Sequence, residues 1–168
     1  MSRWLIAHLE YHRWATGLAL DTAIGLSSEQ LLQTLGGSFS NIYETLVHLY
    51  QSDRIWLDRL ELRPSGKPSD YEAPGCLWEL RDAWLATHDR MIHFVSALKE
   101  SELEKELSYK NLAGQEFSSP VWQILMHVVN HGTHHRAQIV AMYRQLGVKP
   151  TNSDLIRFHR EALAPTAQ

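Results

Sequence analysis

The chain has 168 residues, 44% of them hydrophobic, and a formal net charge of −3. That length suits one domain with a real core, and the near-neutral balance leaves no electrostatic footprint for nucleic acid or an anionic membrane. Cys76 is the only cysteine, which excludes an internal disulfide and a cysteine-built zinc site. No apolar run reaches the roughly 18 residues of a spanning helix, and the opening MSRWLIAHLEYHRW lacks a secretory leader's apolar centre. The expectation is a single domain over residues 1–168, cytoplasmic, with no nucleic-acid or membrane partner. Ten histidines and six tryptophans stand out.

In chain order, the first helix is predicted from Trp4 to about Ile24, with Trp4, Ile6, Leu9, Trp14, Leu18 and Leu20 as its apolar face and Gly25 as its stop. Ser27 and Gln30 have capping-box spacing for a short helical turn through Leu32, and Gly36-Gly37 breaks it. A second long helix runs from about Phe39 to Leu62, capped by Asn41 with Glu44, or by Ser38. Its stripe is Ile42, Leu46, Leu49, Trp56 and Leu60; His48 lies on the opposite face with Thr45, Ser52 and Ile55. Arg63 to Gly75, with three prolines and two glycines, reads as a loop. The third helix spans Leu77 to Lys99 through Trp78, Leu80, Trp84, Met91, Phe94, Val95 and Leu98, and Ser101 with Glu104 has the form of another cap. Glu106 to Ser118 is a predicted hairpin turning at Gly114. Pro120 to Leu146 is one long helix, with Ser119 as cap, Pro120 in its first position and Gly147 after its last turn. A short helix from Ser153 to Ala162 precedes a proline-containing tail. Four long helices with short accessories indicate an all-α four-helix bundle.

The long last helix carries the chemistry. Its apolar stripe runs Val121, Ile124, Val128, then Met142 and Leu146, but between them the stripe holds His131, His135 and Gln138. Buried imidazoles are costly unless each nitrogen finds a partner. Two histidines four apart project from one face and can close on one ion; the competing reading is a pair of hydrogen-bonded core histidines. His127 lies at the edge of the stripe, as an extra ligand or a packing residue, and His134 points away. Arg136 is expected at the helix boundary, beside a carboxylate. His8 and His12 form a second pair four apart, with a structural or pocket-lining role. His88, His93 and His159 have no ligand spacing. The residues between His131 and His135 lack the glutamate of a zincin, and the Glu-x-x-His of di-iron bundles is absent from this helix, so any site is mononuclear and histidine-rich.

Four segments resemble the DinB family of DinB/YfiT-like metalloenzymes: YHRWA at Tyr11 to Ala15, GSFSNIYETLVH at Gly37 to His48, YKNLAG at Tyr109 to Gly114, and HVVNHGTHHRAQI at His127 to Ile139. The resemblance implies a four-helix bundle, usually a homodimer, with one divalent metal held by three histidines, here His48, His131 and His135. Spacing alone does not nominate His48. Two positions depart from the family's habit: Ala137, commonly glycine, and His12, commonly asparagine.

Three imidazoles would leave such an ion an open position, as in catalytic zinc sites, and the ion would acidify a bound water or thiol. Zinc or nickel fits best, with iron or manganese compatible. Glu44, Ser52, Asn130 and Gln138 are candidates to hold the ligands' second nitrogens, and Tyr11 and Trp14 to wall the pocket. The implied activity is that of a hydrolase or a thiol-dependent transferase acting on a small molecule with a low-molecular-weight thiol. The alternatives are a non-catalytic metal-binding stress-response dimer, and a helical dimer whose histidines are core residues.

Overall fold

The computed structural model describes residues 2–162. The elements follow in the order α1 (Ser2–Ile24), α2 (Ser28–Leu32), α3 (Ile42–Leu60), a 3-10 turn (Pro68–Asp70), α4 (Leu77–Ala97), α5 (Glu100–Leu103), β1 (Glu106–Lys110), β2 (Glu116–Pro120), α6 (Val121–Gln145) and α7 (Leu155–Ala162). The helical bundle with a small antiparallel hairpin is therefore the fold. α1 packs on α4 and α6, and α3 packs on α6 and α4. The tail after Ala162 lies outside the described residues.

Element ends show where local chemistry departs from pattern. α1 begins at Ser2, and Leu5, Leu9, Ala15 and Leu20 form its buried face; Trp4 is 72% exposed. α3 begins at Ile42, after the Asn41 side chain caps the Glu44 amide and Glu44 accepts from the Ser40 amide. It ends at Leu60, because Leu62 turns left-handed (φ 56°) and the Arg63 amide donates back to the Asp58 carbonyl. α4 ends at Ala97, and Trp78 stays 62% exposed at its start. The cap of α5 is Lys99, whose amide donates to Glu102, and not Ser101 with Glu104. Ser119 does not cap α6. It pairs with Leu107 in β2, Pro120 is the capping residue, and the Val121 amide donates to the Lys105 carbonyl, so the strand runs straight into the helix.

Two apolar clusters fill the bundle. One gathers Leu5, Leu9, Leu57, Met91, Val95, Leu125 and Val128; the other gathers Leu20, Leu46, Leu49, Trp84, Ile139 and Tyr143. A buried polar layer separates them. On α3 Asp53 sits between Tyr50 and Leu57, on α4 His88 sits between Trp84 and Met91, and on α6 Arg136 sits between Val129 and Ile139; His12 of α1 completes the layer. One oxygen of Asp53, Oδ2, accepts from Trp84 Nε1 (2.7 Å), His88 Nε2 (2.8 Å) and His12 Nε2 (3.1 Å). Arg136 Nη1 donates to His12 Nδ1 (2.7 Å), which sets the tautomer of His12: its proton is on Nε2, facing Asp53. All four long helices thus meet at one carboxylate.

Burial by itself would push Asp53 up, but the adjoining His12 and His88 outweigh it and hold the carboxyl below its usual range. Burial lowers His12 to about 3 against the pull of Asp53. His12 is therefore neutral, and the three N–H donors are what keep Asp53 ionised. The His12 ring lies against Gly132 of α6: a Cβ there would stand 2.6 Å from His12 Nδ1 and 2.7 Å from Arg136 Nη1.

Replacing Gly132→Ala is expected to lower the unfolding free energy by about 3 kcal/mol, the upper range of overpacking penalties, in a denaturant titration. Adding His12→Ala should cost less than the sum of the two single changes, because the clash is then relieved. Acid sensitivity follows from the same layer. Both folded values lie below the unfolded ones, so the unfolded chain binds more protons and stability rises with pH. The His12 contribution is complete above about pH 6.5 and is lost as pH falls towards about 3; that of Asp53 is complete above about pH 4 and lost below it. Over the His12 window the folding constant should fall by roughly tenfold per pH unit on account of this one group, and a His12→Gln variant should show a correspondingly shallower slope.

Candidate metal centre

α3 and α6 bring His48, His131 and His135 together, with ligand atoms all within 4.8 Å of one another. His48 Nε2 and His131 Nε2 are 3.2 Å apart. Two nitrogens bound tetrahedrally at about 2.0–2.1 Å to zinc lie roughly 3.3 Å from each other, so the pair is already at ligand spacing. The three rings meet edge to face, with centroids 4.6 to 5.2 Å apart.

Their electrostatics suit a cation. Burial, then His135, lowers His48, and burial with His135 and His48 lowers His131 to about 4. Both are neutral near pH 7 and carry lone pairs. Gln138 Oε1 lies 2.8 Å from His135 Nδ1 and Gln138 Nε2 lies 2.9 Å from Ser38 Oγ; with the amide in this direction its oxygen accepts from His135 Nδ1. With its proton on Nδ1, His135 leaves Nε2 bare, as a ligand must. His131 Nδ1 is buried and has no hydrogen-bond partner among the described residues. Phe39 covers the group, its ring 4.4 Å from that of His48 and 5.8 Å from that of His135.

The other nominated residues sort differently. Gln138 is placed beside His135 of the cluster. Glu44 is spent on the α3 cap, and the Asn130 side chain is exposed and makes no hydrogen bond among the described residues. His127 is exposed, with its ring 5.4 Å from Trp56 and 5.6 Å from His131, outside the ligand group. His134 is exposed. Tyr11 and Trp14 do not wall the site: they pack on each other and on Phe158 of α7, with Arg136 over Tyr11. Arg136 is buried rather than at a boundary, and it reaches a carboxylate only through His12. His8 does not join His12; its Nδ1 turns to the Trp4 carbonyl.

The walls come instead from α3 and the hairpin. His48 and Ser52 line a cavity of about 200 Å³ with Ile55, Trp56, Arg59, Pro68, Tyr109, Asn111 and Leu112. A larger cavity, about 400 Å³, opens around Ile24, Leu31, Tyr43, Cys76 and Trp78 and holds none of the three histidines.

His12, Asp53 and His88 form a second group with ligand spacing. Sequence reasoning passed over Asp53 and treated His88 as ordinary. Here the nitrogens nearest Asp53 carry its protons, and Trp84 and Arg136 donate into the same layer. A cation among them would displace three hydrogen bonds and sit beside a guanidinium. The chemistry of the two groups therefore differs: the first converges three ring nitrogens with no anion among them, the second converges N–H donors on an anion.

Comparison with known proteins agrees with this architecture. The family model described as "DinB family" matches residues 1–167. Protein DinB of Bacillus subtilis (strain 168) is 31% identical over 163 residues, covering 92% of each chain. Among crystal structures, a DinB-like protein from Bacillus cereus ATCC 10987 superposes with a TM-score of 0.65 at 22% identity, over 85% of this chain and 91% of that one. The DinB-like protein YjoA of B. subtilis gives 0.64 at 14% identity, over 90% and 98%. At those identities the two structures speak to the fold alone. The match along the whole sequence, together with the curated relative, establishes that this chain belongs to the DinB family.

Proposed function

We propose that this chain is a divalent-metal-dependent enzyme, holding one ion per chain at His48, His131 and His135 and acting on a small molecule as a hydrolase or a thiol-dependent transferase. Zinc and nickel suit the imidazole set best, and iron and manganese are compatible with it. The observation that carries the reading is convergence at a cavity wall: three imidazoles from two helices meet at ligand spacing, and His48 opens onto a cavity of small-molecule size. No fourth histidine, cysteine or carboxylate joins that group among the described residues, which is the ligand count of catalytic zinc.

A cation bound there would acidify a water or thiol in its remaining position. The protein's part is otherwise positional. Gln138 holds the His135 ring and its tautomer, Ser38 holds Gln138, and Phe39 keeps solvent from one side of the cluster. In this reading the protein works in the cytoplasm as a homodimer.

Elemental analysis of purified protein should find about one divalent ion per chain, with a rise in melting temperature on adding zinc or nickel to stripped protein. His48→Ala, His131→Ala and His135→Ala should each abolish both, and His134→Ala should abolish neither. Gln138→Ala should weaken binding by about 10-fold, as loss of an outer hydrogen bond does elsewhere. Metal retention without turnover of esters, amides or thiol acceptors would reduce the protein to a non-catalytic metal binder.

A further inference from the structure

Arg59 lines the same cavity as His48, three helical turns along α3. Its guanidinium stacks over Trp56 (4.5 Å) and beside Tyr109 (5.2 Å). Nη2 donates to the Lys110 carbonyl (2.7 Å) and Nε donates to Ser65 Oγ (3.4 Å). Nη1 has no hydrogen-bond partner, and no carboxylate lies within ion-pair distance of Arg59 among the described residues. Arg13, Arg63, Arg81, Arg90 and Arg157 each meet an Asp or Glu. Arg59 is thus half-buried, held by two rings and two hydrogen bonds, and short of a counter-charge. A desolvated cation of that kind is costly until an anion arrives, and a planar guanidinium fixed in place suits an oxyanion.

We propose that Arg59 is the oxyanion-recognising end of this cavity, so that its ligand is a two-headed small molecule with a carboxylate or phosphate on Arg59 and a metal-seeking donor, such as a thiol, at His48. The metal-seeking half rests on the function proposed above; the Arg59 half does not. Because the guanidinium lies over Trp56, eight residues from His48, the two heads are separated by about 12 Å along the helix axis, at 1.5 Å per residue. Ile55, Pro68 and Leu112 supply apolar wall for the stretch between.

The test is calorimetric titration of zinc-loaded protein with 6-mercaptohexanoate and 6-mercaptohexanol, which differ only in the far head group. The acid should bind at least about 10-fold tighter than the alcohol, the scale of one charge-assisted contact. Arg59→Gln should bring the acid down to the affinity of the alcohol with zinc content unchanged, and Arg59→Lys should restore part of the difference. Leu112→Glu, on the same wall at a position 63% exposed, should weaken the acid more than the alcohol and covers the case in which the Arg59 variants do not fold. Hexanoate on zinc-free protein isolates the arginine: binding that Arg59→Gln abolishes supports the oxyanion site even if zinc fails to bind. Equal affinity for acid and alcohol in the wild type, or an acid preference that survives Arg59→Gln, overturns it.

Discussion

A single carboxylate buried between two apolar cores is the constraint on which the bundle depends. Asp53 is fully enclosed, and an isolated charge there would be prohibitive. It is tolerable because two helices, α1 and α4, send three N–H groups to the same oxygen and α6 closes the set through Arg136 and His12. Such a layer contributes less to net stability than apolar packing of equal volume would. What it imposes is position: each donor is satisfied in one register of the four helices, and a slip of one turn would leave a buried charge without its donors.

The histidine cluster inherits that register. Gly132 lets the His12 ring reach α6, and it follows His131 directly; Arg136 follows His135 directly. On α3, Asp53 lies five residues beyond His48. The elements that place the three imidazoles opposite one another are thus the elements fastened by the polar layer one step deeper. The two layers keep distinct chemistry because their protons are arranged differently. Arg136 forces the His12 proton towards Asp53, whereas Gln138 draws the His135 proton outwards and leaves its other nitrogen bare.

The helices, the hairpin and the inward histidines of α6 were legible from periodicity, because they interrupt or sustain an apolar stripe. The same signal is present elsewhere. On α3 the stripe Ile42, Leu46, Leu49, Trp56, Leu60 has its missing slot at Asp53; on α4 the run Leu80, Trp84, Met91, Val95 has its missing slot at His88. A polar residue in a stripe slot marks a buried network as surely as it marks a metal ligand, and only the partners decide which. His48 was invisible to periodicity because it lies off its stripe, and it was supplied by the family resemblance. Phe39, Ser38 and Arg59 carried no local signal. Their roles come from contacts across the bundle, and the pocket walls assigned to Tyr11 and Trp14 were misplaced because those rings pack under α7. Element ends such as Leu62 and Ser119 were misjudged where a backbone turn or a strand did the work of a capping side chain.

The join between β2 and α6 has a further consequence. The three imidazoles are held by long helices, whereas Asn111 and Leu112 reach the cavity from a loop that hangs on two short strands, and Tyr109 reaches it from the first of those strands. The histidine cluster and the mouth of the cavity therefore belong to separable parts of the chain. Exchanging the five residues Asn111 to Gln115 of that loop would resize or recharge the mouth of the cavity while the three histidines and their supporting layer stayed in place, which makes the hairpin tip a modular cassette on a constant scaffold.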